Sequence, residues 1–498
     1  MLPVTQLFGS STALACYSFL LIFVALKLRQ FLALRHIPGP FLASLTDFWF
    51  LYVMRLGDYK KQSLELHNKY GPLVRYGPNR VLFSDVEAIS VVYGTKAPFQ
   101  KARSYDVITP YINGKLVPSL ITLRDEREVS AIKRHISHAF SNTAILDYEH
   151  HIDHTIQSLV KALQANGPEL DLSDWLGYFA FDTLCRIGFS DDTEMTARGE
   201  DVGNTLLATR TRNHHWDRWL ALPALESFWF KNRYLSGGMK ADPLTNLAKQ
   251  RFQARVDQGG AASTHHDLLD RYFQAQQKSP ELFDNRRIVA LIVTIINAGS
   301  ETTGSSLAVA YYYILKHPHV YARIKQEIDE AGLSFPPQFR DVVKLKYVEA
   351  CIKESMRVRA TSQGPMERVV PPEGMTISGV FIAPGTVVAA NKSASTLDPR
   401  IYDPSGKHPV HEYIPERWLG VDPSRTAQMD LASLPFSYGK RTCLGIHLAW
   451  CEMLKCLTAM FMRFDVDLKD RSFELEIEKG MIALVTPKGL PVIIKPRA

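Results

Sequence analysis

Cysteine is scarce in this chain of 498 residues: six in all, at spacings that match neither a disulfide framework nor a zinc site, so reduced thiols are expected. No run of five or six like charges occurs. The surplus of 58 Lys and Arg over 51 Asp and Glu is spread along the chain, and its sign alone does not separate a nucleic acid from an acidic protein or an anionic membrane. No G-x-G-x-x-G follows a strand pattern, which excludes a built-in nicotinamide or flavin site. Internal repeats and low-complexity tracts are missing too. With 46% hydrophobic and 22% charged residues, the chain is not disordered, collagen-like or multi-spanning, and it can bury a large core.

What is present begins with an apolar stretch. Leu7 to Leu26 holds fifteen apolar residues and no charge, the length that one bilayer crossing needs. Lys27, Arg29 and Arg35 follow on one side only, which places the C-terminal bulk in the cytosol. A cleaved signal peptide is the competing explanation, but the chain has neither a basic n-region nor a small-residue cleavage site. His36-Ile37-Pro38-Gly39-Pro40 then reads as a stiff hinge holding the body off the membrane. The expected organisation is an anchor over 1–30, a proline-rich hinge over 31–45 and a single domain over 46–498.

Helical patterns dominate that domain, at Asp147–Leu163, Val320–Ala331, Tyr347–Val358 and Leu448–Phe464. Half-buried strands are expected at Leu73–Tyr76 and Arg80–Phe83 around Gly77-Pro78-Asn79, and again at Thr376-Ile377, Val380–Ile382 and Thr386–Ala390. The fold class is mainly α with small β-sheets. One helix, Asn285 to Lys316, is apolar on most faces and would run nearly ~50 Å. Its middle breaks that pattern with Ala298-Gly299-Ser300-Glu301-Thr302-Thr303, costly in a buried helix unless the polar groups find partners or face a solvated flank.

The sharpest local pattern is Phe436-Ser437-Tyr438-Gly439-Lys440-Arg441-Thr442-Cys443-Leu444-Gly445 at the mouth of an apolar helix. Backbone N–H groups and the helix dipole there favour a thiolate, a soft ligand for iron. Gly439 and Gly445 let the backbone approach a flat ligand, Phe436 can pack on its face, and Arg441 offers charge-assisted bonds to a carboxylate. Cys16, Cys185, Cys351, Cys451 and Cys456 fit the alternative of a buried structural cysteine.

These ten residues match the heme-binding signature of the cytochrome P450 superfamily, F-x-x-G-x-R-x-C-x-G, and other segments resemble that family in order. Ala298–Thr303 resembles its A-G-x-[DE]-T-[TS] helix, Glu354 and Arg357 its E-x-x-R helix, and Pro415-Glu416-Arg417-Trp418 its P-E-R-W segment. The resemblance implies a cytochrome P450 fold holding heme b, iron protoporphyrin IX, with Cys443 as axial thiolate and sole metal ligand from the protein. It implies that Arg441 and Arg368 bind heme propionates, with Lys133 and Arg134 near a further contact. The family often has Trp or His four residues before that basic position, and Val129 stands there instead. Glu354, Arg357 and Arg417 would lock the fold behind the heme.

The resemblance further implies that Gly299 leaves room for O2, that Thr302 holds the hydrogen bonds or water that deliver protons to it, and that Glu301 relays them. A salt-bridged acid is the alternative for Glu301. The implied reaction is monooxygenation, by hydroxylation or oxidative demethylation, with electrons from NADPH through a separate flavoprotein reductase. The anchored, cytosol-facing arrangement resembles the microsomal type in the endoplasmic reticulum membrane. Lys69–Arg75 and Ile37–Phe41 resemble fungal members, similar to the pisatin demethylase branch of secondary metabolism. A heme-thiolate isomerase, dehydratase or heme sensor is the alternative from another class. Ile108, Ile292, Ile295, Ile296, Thr361 and Ile482 are expected at the substrate, with core packing competing for the isoleucines. Few charges lie in those segments, which points to a neutral, largely apolar molecule oriented by one or two hydrogen bonds.

Overall fold

Eight helices matter below: α1 (Val4–Ala33), α2 (Glu126–Ile136), α3 (Leu172–Phe189), α4 (Thr205–Trp219), α5 (Pro223–Phe230), α6 (Asn285–Lys316), α7 (Lys346–Val358) and α8 (Ile446–Arg463). Side-chain caps start three of them, α2, α3 and α6. This computed structural model describes residues 4–56, 59–232, 234–235, 242–260, 265–478 and 486–497. Asp284 caps α6 by accepting from Arg287 N at 2.7 Å, and Asp125 caps α2 by accepting from Arg127 N at 2.8 Å. The two other expected helices occupy Asn142–Ala165 and Pro318–Glu330, where Ser141 and Pro318 set the starts.

The main sheet has β1 (Leu73–Gly77), β2 (Arg80–Phe83), β3 (Gln100–Lys101), β4 (Arg368–Val369) and β5 (Val387–Ala390), in the order β1-β2-β5-β4-β3. Only β2 and β5 pair in parallel. Met375–Ile377 and Val380–Ile382 form the expected second hairpin, and Glu169–Asp171 joins Phe464–Leu468 and Pro491–Pro496 in a third sheet. The expectation of half-buried strands is corrected: every residue of β1 and β2 is buried. The arginines among them are satisfied inside, Arg80 by Asp47 at 2.9 Å and by Glu367, and Arg75 by main-chain carbonyls.

Those carbonyls include several from the hinge segment and its flanks. Arg75 donates to Phe31 O at 3.1 Å, Gln30 O at 3.3 Å and Ser44 O at 3.4 Å, and Arg75 N donates to Pro38 O at 2.7 Å. Gly39 lies so close to Arg75 O that a Cβ would overlap it, and Leu34 and Ile37 are 0% and 4% exposed. The 31–45 segment is docked on β1.

α6 runs through the core. It is long and apolar enough by length and composition to cross a membrane, but 78% of its apolar window is buried inside the protein, as in a core helix. It packs on α3 closely: a Cβ on Gly304 would lie 2.9 Å from Gly177 Cα and 3.0 Å from Leu176 O.

Candidate active site

The loop before α8 is fixed from three sides. Gly439 sits at φ +63° against Tyr93 O and the Gly94 backbone, where a Cβ has no room. Cys443 N donates to Phe436 O at 2.8 Å, closing the loop. Lys133 of α2 donates to Lys440 O at 2.8 Å and to Thr442 O at 3.4 Å. Phe436 packs toward Trp450 of α8, ring centroids 6.2 Å apart. Cys443 is exposed, whereas Cys185, Cys351, Cys451 and Cys456 are buried. Burial nonetheless pushes its thiol up, against a Gly445 N–H bond and the charge of Lys133. The thiolate bias expected of the helix mouth is therefore outweighed in the polypeptide alone; a bound metal deprotonates a coordinating thiol. The Cys443 side chain is nevertheless accessible, and a Cβ on Gly445 would enter open space, so a ligand can approach the loop at both residues.

Cations gather beside this loop. Burial, with Arg368 and Arg441 close by, pushes the Lys101 ammonium well down, and Glu126 is the one carboxylate that opposes this. Arg368 is 3% exposed and donates to Tyr105 OH at 3.5 Å and Glu367 O at 3.0 Å. Arg441 donates to Glu126 at 2.8 and 3.0 Å and to the carbonyls of Leu120 and Leu123. Glu126 thus serves Arg441, Lys101 and Lys133, while Arg368 has only a phenol and main-chain carbonyls as acceptors among the described residues. Heme b fits: its iron takes a soft thiolate, its disc needs the space at Cys443 and Gly445, and its two propionates balance the surplus charge. Two calls change. Arg134 is exposed, because it lies two residues past the inward Ile132 on the outer face of α2. Arg441 carries a carboxylate of the chain itself, Glu126.

On α6, Thr294, Ala298 and Thr302 are half-buried at four-residue spacing, while most of the helix around them is buried. This is its open face. Thr302 Oγ1 donates to Ala298 O at 2.6 Å. Ser306, one turn on, lies 3.4 Å from Thr361 Oγ1, which brings the 360–365 loop to the same face. Gly299 does not open onto this face: a Cβ there would come 2.7 Å from Leu184 Cδ1 of α3, so its missing side chain makes room for that helix. Ile292 and Ile296 precede Gly299 by seven and three residues, share its side and are fully buried, which makes them core. Ile295, 8% exposed, flanks the open face, and Ile108 is 5% exposed. Ile482 lies outside the described residues.

Glu301 turns toward α4. It accepts from Arg210 Nε at 3.1 Å and from Thr486 Oγ1 at 2.9 Å, and burial raises its carboxyl against both. The salt-bridged alternative describes it. Behind the site, Glu354 accepts from Arg357 at 2.7 and 2.8 Å, from Arg417 Nε at 2.8 Å, from Ile414 N at 3.0 Å and from Trp418 Nε1 at 2.8 Å. Burial would raise its carboxyl, but the two guanidinium groups hold it down. The rest of Arg357 and Arg417 bonds carbonyls from Thr396 to Glu412.

Lys101, Glu126, Tyr105 and Arg210 were not legible as site residues, since no local motif marks them. Trp418 was quoted in its motif without a role, and its indole bond supplies one.

Residues 44–493 match the family described as Cytochrome P450. The chain is 31% identical over 465 residues to a cytochrome P450 monooxygenase of Aspergillus terreus, covering 89% of this chain and 93% of that protein. It is 31% identical over 487 residues to cytochrome P450 monooxygenase cicH of Emericella nidulans, covering 94% and 95%. It is 28% identical over 477 residues to cytochrome P450 monooxygenase asR2 of Sarocladium schorii, covering 91% of each.

Proposed function

We take as premise that this chain belongs to the cytochrome P450 family, and we propose that it works at a membrane face on a neutral, largely apolar organic substrate. It is a heme-thiolate monooxygenase: one atom of O2 enters the substrate and the other leaves as water, with electrons from NADPH through a separate reductase. Bound heme b supplies the oxygen-activating redox chemistry. Its fungal monooxygenase relatives disfavour an isomerase, dehydratase or sensor.

The observation that carries the residue roles is the accessible, desolvated Cys443 in a loop pinned by Gly439 and Lys133. In this reading Cys443 ligates iron, while Arg368 and Lys101, with Arg441 and Lys133 adjoining, balance the propionates. Thr302 donates its proton to Ala298 O and so keeps lone pairs on the open face, where it can accept from a proton-bearing water. The Glu354–Arg357–Arg417 cluster keeps the loops behind the site in register. Ile108, Ile295 and Thr361 border the substrate, with Ile482 proposed on the resemblance alone.

For the membrane, α1 is proposed as a single-pass anchor of the endoplasmic reticulum with the domain facing the cytosol. The exposed apolar side chains from Leu14 to Leu26 support this. Phe41, Phe48 and Tyr52 on one segment and Phe228, Trp229 and Phe230 on α5 are exposed as well, and their buried neighbours Phe50 and Ala221 share one core cluster. The division into 1–30, 31–45 and 46–498 stands as a proposal, with 31–45 packed on the body. Secondary metabolism near the pisatin demethylase branch is proposed on Lys69–Arg75 and Ile37–Phe41.

The test is a carbon-monoxide difference spectrum of the reduced protein, joined to NADPH- and reductase-dependent O2 uptake. A thiolate band with substrate-stimulated uptake is expected. A Cys443→Ser protein that keeps the band would sink the ligand assignment.

A further inference from the structure

Lys392 is buried without a counter-charge. It stands two residues past the end of β5, is 4% exposed, and pairs with no carboxylate among the described residues; burial alone pushes its ammonium down to about 8. Lys455, buried as well, has Glu149 and Asp153 beside it. Taking an ammonium out of water with no ion to pair it is costly, and a methionine would fill much the same space without that loss. What the ammonium alone supplies is a charged donor, and both of its acceptors belong to one residue: Ser362, by its main-chain O and by Oγ at 3.3 Å.

Ser362 lies between α7 and β4, where little else holds the chain. Arg359 N bonds back to Ser355 O at 2.8 Å and Glu367 N bonds Pro365 O at 2.9 Å, but from 360 to 364 no main-chain group bonds another among the described residues. The adjoining side chain is Thr361, half-buried, whose Oγ1 lies 3.4 Å from Ser306 on α6, one turn past Thr302. Lys392 itself rests on fixed backbone. Asn391 N donates to Phe83 O of β2 at 2.7 Å, Asn391 Nδ2 to Ser63 O at 3.1 Å, and Thr396 N to Lys392 O at 3.0 Å. The ammonium therefore ties a loop without main-chain bonds of its own to the end of the main sheet.

We propose that Lys392 is a positioning residue: it sets the 360–365 loop, and through it where Thr361 stands beside the open face of α6, and so decides which shape of molecule the site accepts. The lysine touches no substrate itself. This rests on the monooxygenase reading with its pocket on that face. Without the ammonium, the acceptors of half-buried Ser362 can turn to water and the loop settles elsewhere, while the rest of the protein is relieved of a dehydrated charge. A merely structural lysine would show the opposite pattern, lower stability at unchanged selectivity.

Two azoles test it without knowledge of the natural substrate. Heme-loaded wild type, Lys392→Met, Thr361→Val and the double variant are titrated with 1-phenylimidazole and 4-phenylimidazole, followed by the shift of the heme band. The probes share a composition and differ in the direction the phenyl ring takes from the iron-ligating nitrogen, so their affinity ratio reports the shape of the pocket. Lys392→Met should change that ratio about five- to tenfold, the size of one lost hydrogen bond, with a thermal midpoint equal to or above that of the wild type. Thr361→Val should shift the ratio in the wild-type background and shift it less beside Lys392→Met, because a displaced loop no longer presents that residue. An unchanged ratio in Lys392→Met overturns the inference. Strictly additive effects of the two substitutions overturn it too, since the lysine would then not act through the loop. Should Lys392→Met give no thiolate band, Lys392→Gln replaces it; loss of the band in both makes the lysine structural and again overturns the role. If neither probe shifts the wild-type band, the heme-thiolate pocket fails, and the positioning role with it.

Discussion

Thr302 donates to Ala298 O at 2.6 Å and faces the open side of α6 as an acceptor. Replacing it with Ala should leave the thiolate band intact and divert electrons to peroxide, lowering product formed per NADPH; unchanged coupling in a folded protein would exclude the role. A second residue-scale effect concerns stability. Glu452 of α8 is 2% exposed beside Thr303, and burial raises its carboxyl from 4.5 to about 8. The folded state then holds a proton that the unfolded state releases above 4.5, so Glu452 should make stability fall by about 1.4 kcal/mol per unit as pH rises from about 5 to about 8. Above that window its contribution is flat. Glu452→Gln should remove this slope, as urea midpoints across the range would report; parallel profiles for the two proteins would exclude the neutral acid. At this scale the sequence reveals what lies within one motif, such as Cys443 or Glu354 with Arg357. It hides Glu126 with Arg441, which meet across 315 residues, and Lys101, whose neighbours come from separate strands and helices.

α6 meets α3 through two glycines of unequal importance. A Cβ on Gly304 would press on main chain, which cannot yield, whereas one on Gly299 meets the movable end of Leu184. Gly304→Ala should cost about 1–3 kcal/mol by denaturant unfolding even after the ~1 kcal/mol gained in helix propensity, and Gly299→Ala should stay near neutral. The reverse order would show that the crossing is not set by these contacts. The join between α7 and the Pro415–Trp418 turn depends on one carboxylate: Glu354→Ala strands two buried guanidinium groups and should cost ~3–5 kcal/mol, seen as lost heme-bound protein on mild heating. Periodicity located α6 to its end residues because Asp284 and Pro318 bracket it. It did not resolve which isoleucines face the open side, since an apolar helix looks alike on all faces and tertiary contacts such as Gly299 against Leu184 and Gly304 against Gly177 fix the phase. The strands misled for a related reason: alternation suggests one wet face, but α-helical and loop segments cover both faces of β1 and β2.

At the scale of the whole molecule, the N-terminal segment is tied to the sheet by Arg75. A chain cut after Arg29 keeps the carbonyls of Gln30 and Phe31 and should hold heme with near-native stability while losing integral membrane attachment. If the proposed membrane face is right, the exposed apolar residues on α5 should keep it peripherally bound. A cut after Leu45 removes Leu34, Ile37 and the acceptors of a buried guanidinium, and should cost ~2–5 kcal/mol; equal thermal midpoints for the two truncations would contradict the docked segment. The order of motifs along the chain made the overall fold legible, but the docking of 31–45 was hidden because Pro and Gly read as a turn whatever they rest against. The loop holding Cys443 is completed by Tyr93, Gly94 and Lys133, all supplied some three hundred residues earlier. Time therefore enters the biology of this protein. At ~5–20 residues per second, Cys443 is synthesised roughly 20–90 s after the first residue, long after α1 has left the ribosome. A product released before that residue is made holds Tyr93, Gly94 and Lys133 but lacks the loop they complete, and with it the cysteine proposed to ligate iron.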